Sequence, residues 1–244
     1  DNLTDKQIEA LSQYYALISN NLQDQVWGSH HYIVTEEAVQ GVKNIAKAYA
    51  DENKPYSTSH SVTALAKDGL DSITWAGENM NFNNNLIGFS AYYSKAKETR
   101  KATMSQLYRE VYDSVISFIT NDVHANFGHM KLMIGEKAST NVRAVGVANS
   151  FTASNVGRMH FVEFKGQNAH LEYVKDEQTG DYHSKYVDDY YDKGIAKPLA
   201  TPFDTSKMES ELETAKETQS DANTKNTIAT NNLSSATATN KDAE

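Results

Sequence analysis

The sequence predicts an α+β fold, because segments with helical spacing come first and segments with alternating apolar residues come later. A capping box formed by Thr4 and Gln7 indicates where the first helix begins. The same pattern, formed by Thr103 and Gln106, begins a helix in the middle of the chain. After Gly135 the apolar period becomes alternating, which is typical of strands.

The N-terminal part is predicted to be helical. In the first helix, Leu3 and Ile8 occupy the two positions of a hydrophobic staple. Its buried face is expected to consist of Ile8, Leu11, Tyr15, Ile18 and Leu22. A second helix is expected after Thr35, with Ala38, Val42, Ile45 and Tyr49 facing inward. A short third helix is expected over 61–67, ended by Gly69.

The middle of the chain combines one strong helix with a predicted loop and strands. The helix over 103–121 has Met104, Leu107, Val111, Val115 and Phe118 at helical spacing, and the segment 126–130 is expected to close it. The Asn-rich segment 79–85 is predicted to be a loop. Alternating segments at 142–148, 159–164 and 171–174 predict an antiparallel hairpin or meander.

The C-terminal segment 204–244 differs in composition from the rest, which predicts a folded domain over 1–203 and a polar stalk over 204–244. The stalk contains no aromatic residue, Gly or Pro. A heptad pattern runs through Met208, Leu212, Ala215, Gln219, Ala222, Asn226, Ala229, Leu233, Ala236 and Asn240. This spacing predicts a coiled-coil helix that needs a partner helix, either from chain preceding Asp1 or from another copy by self-association. The alternative is a flexible Ser/Thr-rich linker.

Composition excludes several classes of function. The net charge is −9 and no Lys/Arg cluster is present, so no basic face exists for nucleic acid. The absence of cysteine excludes disulfides, thiolate zinc sites and cysteine nucleophiles. No apolar stretch predicts membrane insertion. Since the chain starts at Asp1 without Met and stops in a polar tract, we expect a segment of a longer protein with its targeting signals elsewhere.

Four short motifs occur in a fixed order along the chain. They are Ser59-His60-Ser61, Gly77-Glu78-Asn79, Gly128-His129 and Val145-Gly146-Val147-Ala148. In this order they resemble the CAP superfamily of cysteine-rich secretory, antigen 5 and pathogenesis-related proteins. The helix over 103–121 followed by Gly128-His129 is similar to the CAP-like domain of Gram-positive surface exclusion proteins. The resemblance covers roughly residues 3–174 and implies an αβα sandwich with an antiparallel sheet.

The resemblance also implies a pocket that gathers two histidines and two acidic side chains. His60, Glu78 and His129 match three of these positions, and Asp122 is the nearest candidate for the fourth. The spacing of Asp122 departs from the family pattern, and Met130 stands where an aromatic residue is common. Such a group could bind Zn²⁺ or another divalent cation and activate a water molecule. The alternatives are metal-free acid–base catalysis by Glu78 with a histidine, and hydrogen bonds that only hold loops together.

Other candidate residues are weaker. The adjacent His30 and His31 are expected in an exposed loop, His160 is expected in a strand, and His170 and His183 are isolated in sequence. The tyrosine-rich segment 182–191 is expected either to pack back across the domain or to present a carbohydrate- or protein-facing surface. Neither a Gly-rich phosphate loop nor a G-x-S-x-G motif is present, so serine-based hydrolysis is not expected.

By this resemblance, the chain is expected to be extracellular and attached to the cell wall through regions outside this segment. Its partners would be cell-surface proteins or envelope components, and its role would be to modulate cell–cell contact, adhesion or conjugative plasmid transfer. Two other classes stay open. One is an extracellular metal-dependent peptidase that uses His60, Glu78 and His129, and the other is a binder of lipid or another small molecule.

Overall fold

The structure is a computed structural model that describes residues 3–29, 31–53, 59–82, 103–135, 142–151, 157–201, 203 and 218–231. The chain divides into two compact units, Asp1–Ala200 and Thr201–Glu244. The sequence placed this boundary between residues 203 and 204. Each unit is described by itself below.

The first unit mixes helices and strands, as predicted. Its helices are α1 (Asp5–Trp27), α2 (Glu36–Glu52), α3 (Val62–Leu65), α4 (Met104–Thr120), α5 (Gly128–Ile134) and α6 (Asp189–Asp192), with a 3-10 turn at Val123–Ala125. Its strands are β1 (Tyr32–Ile33), β2 (Ile73–Phe82), β3 (Arg143–Phe151), β4 (Gly157–Gly166), β5 (His170–Lys175) and β6 (Tyr182–Val187).

Both predicted capping boxes are confirmed. At the start of α1 the Thr4 side chain accepts from the Gln7 amide, and the Gln7 side chain accepts from the Thr4 amide at 2.9 Å. Thr103 and Gln106 make the same reciprocal pair at the start of α4. These bonds satisfy amide groups that a helix leaves without an intrahelical partner, so the sequence fixes where both helices begin.

The sheet of the first unit has four strands in the order β1-β3-β4-β2. The pairs β3–β4 and β4–β2 are antiparallel, and the two-residue β1 lies parallel to β3. The predicted strands at 142–148 and 159–164 are therefore neighbours, as expected for a hairpin. The predicted strand at 171–174 lies in β5, which pairs with β6 in a separate two-stranded sheet.

Helices cover both faces of the four-stranded sheet. Successive side chains of a strand point to opposite sides, so adjacent residues of β4 contact different helices. On β4, the ring of His160 lies 4.4 Å from that of Tyr49 in α2. The next residue, Phe161, contacts Tyr15 of α1 and Phe118 of α4, with ring centroids 4.9 and 5.3 Å apart. The sheet therefore separates an α2 side from an α1/α4 side.

Close packing of α2 on β3 depends on Gly146, which belongs to one of the four sequence motifs. A Cβ atom at this position would lie 2.7 Å from the Ala38 carbonyl oxygen and 2.7 Å from a methyl of Val42.

Two predictions about the middle of the chain were wrong. The predicted loop 79–85 overlaps β2, which continues to Phe82, while 83–85 lie outside the described residues. The antiparallel pairing of β2 with β4 overrides the low strand propensity of its asparagines. Gly128 and His129 do not end α4 but begin the separate helix α5. Asn126 and Phe127, two residues with positive φ, lie between α4 and α5.

In the second unit, residues 218–231 form a helix whose side chains are all exposed. The hydroxyls of Thr224, Thr227 and Thr230 each donate to a carbonyl four residues earlier. The helix includes four of the predicted heptad positions, and the other positions lie outside the described residues. The coiled coil itself stays a prediction. Within the described part of the chain, no helix has the length and apolar character to span a bilayer.

Candidate functional site

Glu78 lies at the centre of a buried polar network on the α2 side of the sheet. Its side chain is 1% exposed. Oε2 accepts a hydrogen bond from the Tyr49 hydroxyl at 2.8 Å and from His60 Nδ1 at 2.6 Å. Oε1 accepts from His160 Nδ1 at 2.7 Å. Both carboxylate oxygens are therefore engaged by groups of the protein itself.

The Ser59-His60-Ser61 motif is held in place by the end of α2. The Ser61 amide donates to the Tyr49 hydroxyl at 2.7 Å, and the Ser61 hydroxyl donates to Glu52 at 2.8 Å. The same Ser61 side chain caps α3 by accepting from the Ala64 amide. These bonds fix the backbone beside His60, and this helps to hold the His60 imidazole against Glu78.

The network continues beyond Glu78 into the sheet. His160 on β4 is completely buried, and its Nε2 lies 2.7 Å from the hydroxyl of Ser150 on β3. Ser150, His160, Glu78 and His60 thus form a continuous chain of hydrogen bonds from the interior to the surface. His60 is the solvent end, with 39% of its side chain exposed.

The surroundings of Glu78 favour its ionised form. Burial alone raises the pKa of a carboxyl group, but the hydrogen bonds from His160, His60 and Tyr49 outweigh it and lower the pKa of Glu78 to about 2. The bond to Glu78 also raises the pKa of His60, against the effect of its partial burial. At neutral pH Glu78 is an anion held by three donors.

Asp122 and His129 form a second carboxylate–imidazole pair. His129 Nδ1 donates to Asp122 Oδ1 at 2.5 Å, and the Met130 amide donates to Oδ2 at 3.0 Å. The imidazole stacks on Phe118 with ring centroids 5.2 Å apart. Burial raises the pKa of Asp122, but these two hydrogen bonds outweigh it and lower the pKa. The sequence correctly pointed to Asp122 as the acidic neighbour of His129.

The two pairs lie on opposite faces of β2. Glu78 points toward α2, whereas the adjacent Asn79 points the other way and donates to the His129 carbonyl at 2.8 Å. The expected single pocket of His60, Glu78, His129 and Asp122 is therefore built as two separate pairs. Within the described ranges, no three His, Asp or Glu side chains are arranged to hold a metal ion. The predicted ligand set does not fit a metal as one group, because neighbouring strand residues alternate in direction.

Sequence reasoning missed Tyr49, His160 and Ser150 as parts of the site. Tyr49 was expected only as a buried helix residue, and His160 was expected only as a strand residue. One signal was present, since a histidine at an inward position of an apolar strand must find hydrogen-bond partners. The identity of those partners depends on the pairing of β2 and β3 with β4, which spacing along the chain does not encode.

The tyrosine-rich segment packs back across the domain at one end, as one of its two readings predicted. Tyr190 is buried, and the Tyr191 hydroxyl donates to the Phe164 carbonyl at 2.8 Å while accepting from the Ala144 amide. The other end is different, since Tyr182 on β6 is 69% exposed.

The remaining histidines do not join either pair. His124, His170 and His183 are exposed, and His31 is half-buried beside β1. His30 lies outside the described residues.

Two cavities border α2. One of about 480 Å³ lies between α2 and α3, and Asn44, Asp51 and Lys67 are among its lining residues. The other, of about 380 Å³, lies where the start of α1 and the end of β3 meet α2. Its walls include Ile8 and Ser150.

Comparisons with known proteins give no relative: no family model, no curated protein and no solved structure matches the chain.

Proposed function

We propose that this chain is a CAP-like recognition module of the surface exclusion type, displayed outside a Gram-positive cell, where it modulates contact between cells. The proposal builds on the resemblance of the four motifs and on the helices that cover both faces of the sheet. In this proposal the His and acidic side chains tie the motif segments together, and recognition uses the outer surface of the domain.

One observation carries this preference for recognition over metal-dependent hydrolysis. Both oxygens of Glu78 accept hydrogen bonds, from Tyr49 and His60 on one side and from His160 on the other. Three of the four lone-pair positions of the carboxylate are therefore occupied by donors of the protein itself, and only one, on Oε1, is left for a metal or a water molecule. Its low pKa also makes it a poor proton acceptor near neutral pH.

The test displays the full-length protein on recipient cells and measures conjugative plasmid transfer into them. We expect lower transfer into these cells than into cells without the protein. A folded variant with His60→Ala and His129→Ala together should keep the effect, because recognition uses the outer surface of the domain rather than these imidazoles. Removal of 204–244 should abolish it, because the stalk positions the domain. Equal transfer with and without the protein would refute the proposal.

The alternative is an extracellular metal-dependent peptidase, which metal analysis and a peptidase screen on the native protein would reveal. Stoichiometric zinc that disappears in the His60→Ala/His129→Ala variant, together with loss of cleavage, would favour the peptidase. Equal cleavage by the native protein and the variant would eliminate it. A lipid binder would require an apolar groove, and binding of a fluorescent fatty acid to the native protein would reveal one.

The stalk and the location of the protein belong to the same proposal. We infer attachment to the cell wall through regions outside this segment, with the helix at 218–231 as part of a coiled coil formed by self-association. Analytical ultracentrifugation of the full chain and of residues 1–203 tests this. Self-association of the full chain alone supports the coiled coil, whereas two monomeric samples contradict it.

A further inference from the structure

Three side chains on the α2 side of the sheet are arranged like the parts of an activated nucleophile. Ser150 and His160 are diagonal neighbours on β3 and β4, because Ala148 pairs with His160. The Ser150 hydroxyl lies 2.7 Å from His160 Nε2, and His160 Nδ1 lies 2.7 Å from Glu78 Oε1. Each ring nitrogen of His160 therefore has one partner, a hydroxyl on one side and a carboxylate on the other.

We propose that Ser150, His160 and Glu78 form an acyl-transfer site that hydrolyses esters of small acyl groups. A serine in hydrogen-bond reach of a histidine, which a carboxylate in turn orients, is the general arrangement of nucleophilic catalysis by serine. The site is recognised by this geometry and needs no G-x-S-x-G motif. It uses neither His129 nor a metal, so it goes beyond the proposed recognition function.

Glu78 is suited to the orienting role. Its hydrogen bonds to Tyr49 and His60 hold the carboxylate in one position, which leaves Oε1 facing His160. An anion at Nδ1 keeps the proton of a neutral imidazole on that nitrogen, so Nε2 is the basic atom that faces Ser150. The same anion stabilises the imidazolium that forms when Ser150 loses its proton.

A cavity borders Ser150. The 380 Å³ cavity at the end of β3 includes Ser150 in its wall, and its volume lies in the range of small-molecule sites. Leu3 and Ile8 supply an apolar part of the wall, while Lys43 and Lys47 are paired there with aspartates. An apolar acyl chain on a polar, uncharged leaving group matches these walls.

The reaction has two balanced steps. The Ser150 oxygen attacks the carbonyl carbon of the ester while its proton passes to His160 Nε2, and the carbon–oxygen bond to the leaving alcohol breaks as His160 returns that proton to the alcohol. Water then adds to the acyl-serine ester, giving a proton to His160, which returns it to the Ser150 oxygen as the carboxylic acid leaves. The sum is ester plus water to acid plus alcohol.

The test treats the full chain with a small fluorophosphonate, which phosphonylates activated serines, and follows the intact mass and the modified peptide. We expect one adduct, on Ser150. The variants Ser150→Ala and His160→Gln should lose labelling by about a hundredfold or more. Ser114→Ala is the matched control, because Ser114 is equally buried but its hydroxyl donates to the Glu110 carbonyl. It should label like the native protein.

Hydrolysis of p-nitrophenyl acetate gives a second measurement on the same variants, with circular dichroism to verify that each is folded. Ser150→Ala removes one oxygen and decides the question even if His160→Gln does not fold. The absence of an adduct on Ser150, or hydrolysis at the native rate by folded Ser150→Ala, would overturn the proposal. Labelling of Ser150 at the native rate in folded His160→Gln would equally contradict it.

Discussion

Glu78 and Glu163 are buried glutamates of the same sheet, and the pKa values of their carboxyl groups are shifted in opposite directions. They lie on neighbouring strands, since Gly77 pairs with Glu163 and the next residue is Glu78. Glu78 faces α2 and has a pKa of about 2. Glu163 faces the opposite side, toward α1, and has a pKa of about 7. Depth of burial is similar, so it does not explain the difference.

The number of hydrogen-bond donors explains it. Three donors, from His160, His60 and Tyr49, outweigh the burial of Glu78. At Glu163 burial dominates and raises the pKa, because only the Tyr32 hydroxyl and the charge of Arg143 oppose it. Thus Glu78 is an anion that orients imidazoles, whereas Glu163 is a carboxyl group that the fold keeps largely protonated below neutral pH.

The largest expected effect comes from replacing each glutamate with glutamine. Glu78→Gln puts an amide where three donors need an anionic acceptor, so we expect a loss of about 3–5 kcal/mol in the free energy of unfolding at pH 7. Glu163→Gln, the matched control, resembles the protonated carboxyl and should change stability by less than about 1 kcal/mol. Urea denaturation measures both, and equal losses would remove the proposed difference.

The next effect is the pH dependence of stability. The folded-state pKa of Glu163 is raised from the ordinary 4.5 to about 7, so the folded protein binds this proton more tightly. Stability should therefore fall by about 3 kcal/mol as pH rises from 4.5 through 7. The folded-state pKa of Glu78 is lowered to about 2, so its contribution is lost as pH falls from 4.5 toward 2.

Each variant should remove only one of these two slopes. The free energy of unfolding should vary less with pH between about 4.5 and 7 in Glu163→Gln. It should vary less with pH below about 4.5 in Glu78→Gln. A neutral slope unchanged by Glu163→Gln would show that another group causes it.

A smaller effect is expected from the tyrosines that donate to each carboxyl. Tyr49→Phe removes the bond to Glu78 and leaves the Ser61 amide without its acceptor, which should cost about 1–3 kcal/mol. It should raise the pKa of Glu78 and leave Glu163 unaffected. Tyr32→Phe should raise the pKa of Glu163 further, with no effect on Glu78. Thermal unfolding and pH titration of both variants check this, and a shift at both glutamates in either variant would contradict it.

The smallest effect serves as a control remote from both carboxyls. Thr103→Ala removes the N-cap of α4 and should lower stability by about 1 kcal/mol. Its stability should run parallel to that of the native protein at every pH. A changed slope would mean that the pH dependence reports general destabilisation rather than the two glutamates.

Local signals in the sequence predicted much of the fold. Capping boxes at Thr4 and Thr103 act over three residues, so they mark helix starts without knowledge of the rest of the molecule. The end of β2 escaped prediction because Asn79 and Asn81 favour loops individually, and only pairing with β4 makes them part of a strand. Because Glu78 and Asn79 are adjacent in this strand, their side chains point to opposite faces of the sheet. The expected pocket is therefore divided into two pairs.

Other parts of the site were predicted from the motifs of the family resemblance. His60, Glu78 and His129 matched three positions, and Asp122 was the nearest candidate for the fourth. His160 and Ser150 join Glu78 only through the register of three strands, which brings together residues far apart in the chain. The raised pKa of Glu163 likewise depends on which helices cover its face.

Carboxyl ¹³C chemical shifts of glutamate side chains, followed by NMR from pH 2 to pH 9, test the central contrast most directly. Glu78→Gln and Glu163→Gln assign the two signals. The expected result is that Glu163 titrates with a pKa of about 7, while Glu78 stays ionised until the pH approaches about 2. Two signals that both titrate near the ordinary value of 4.5 would contradict the account.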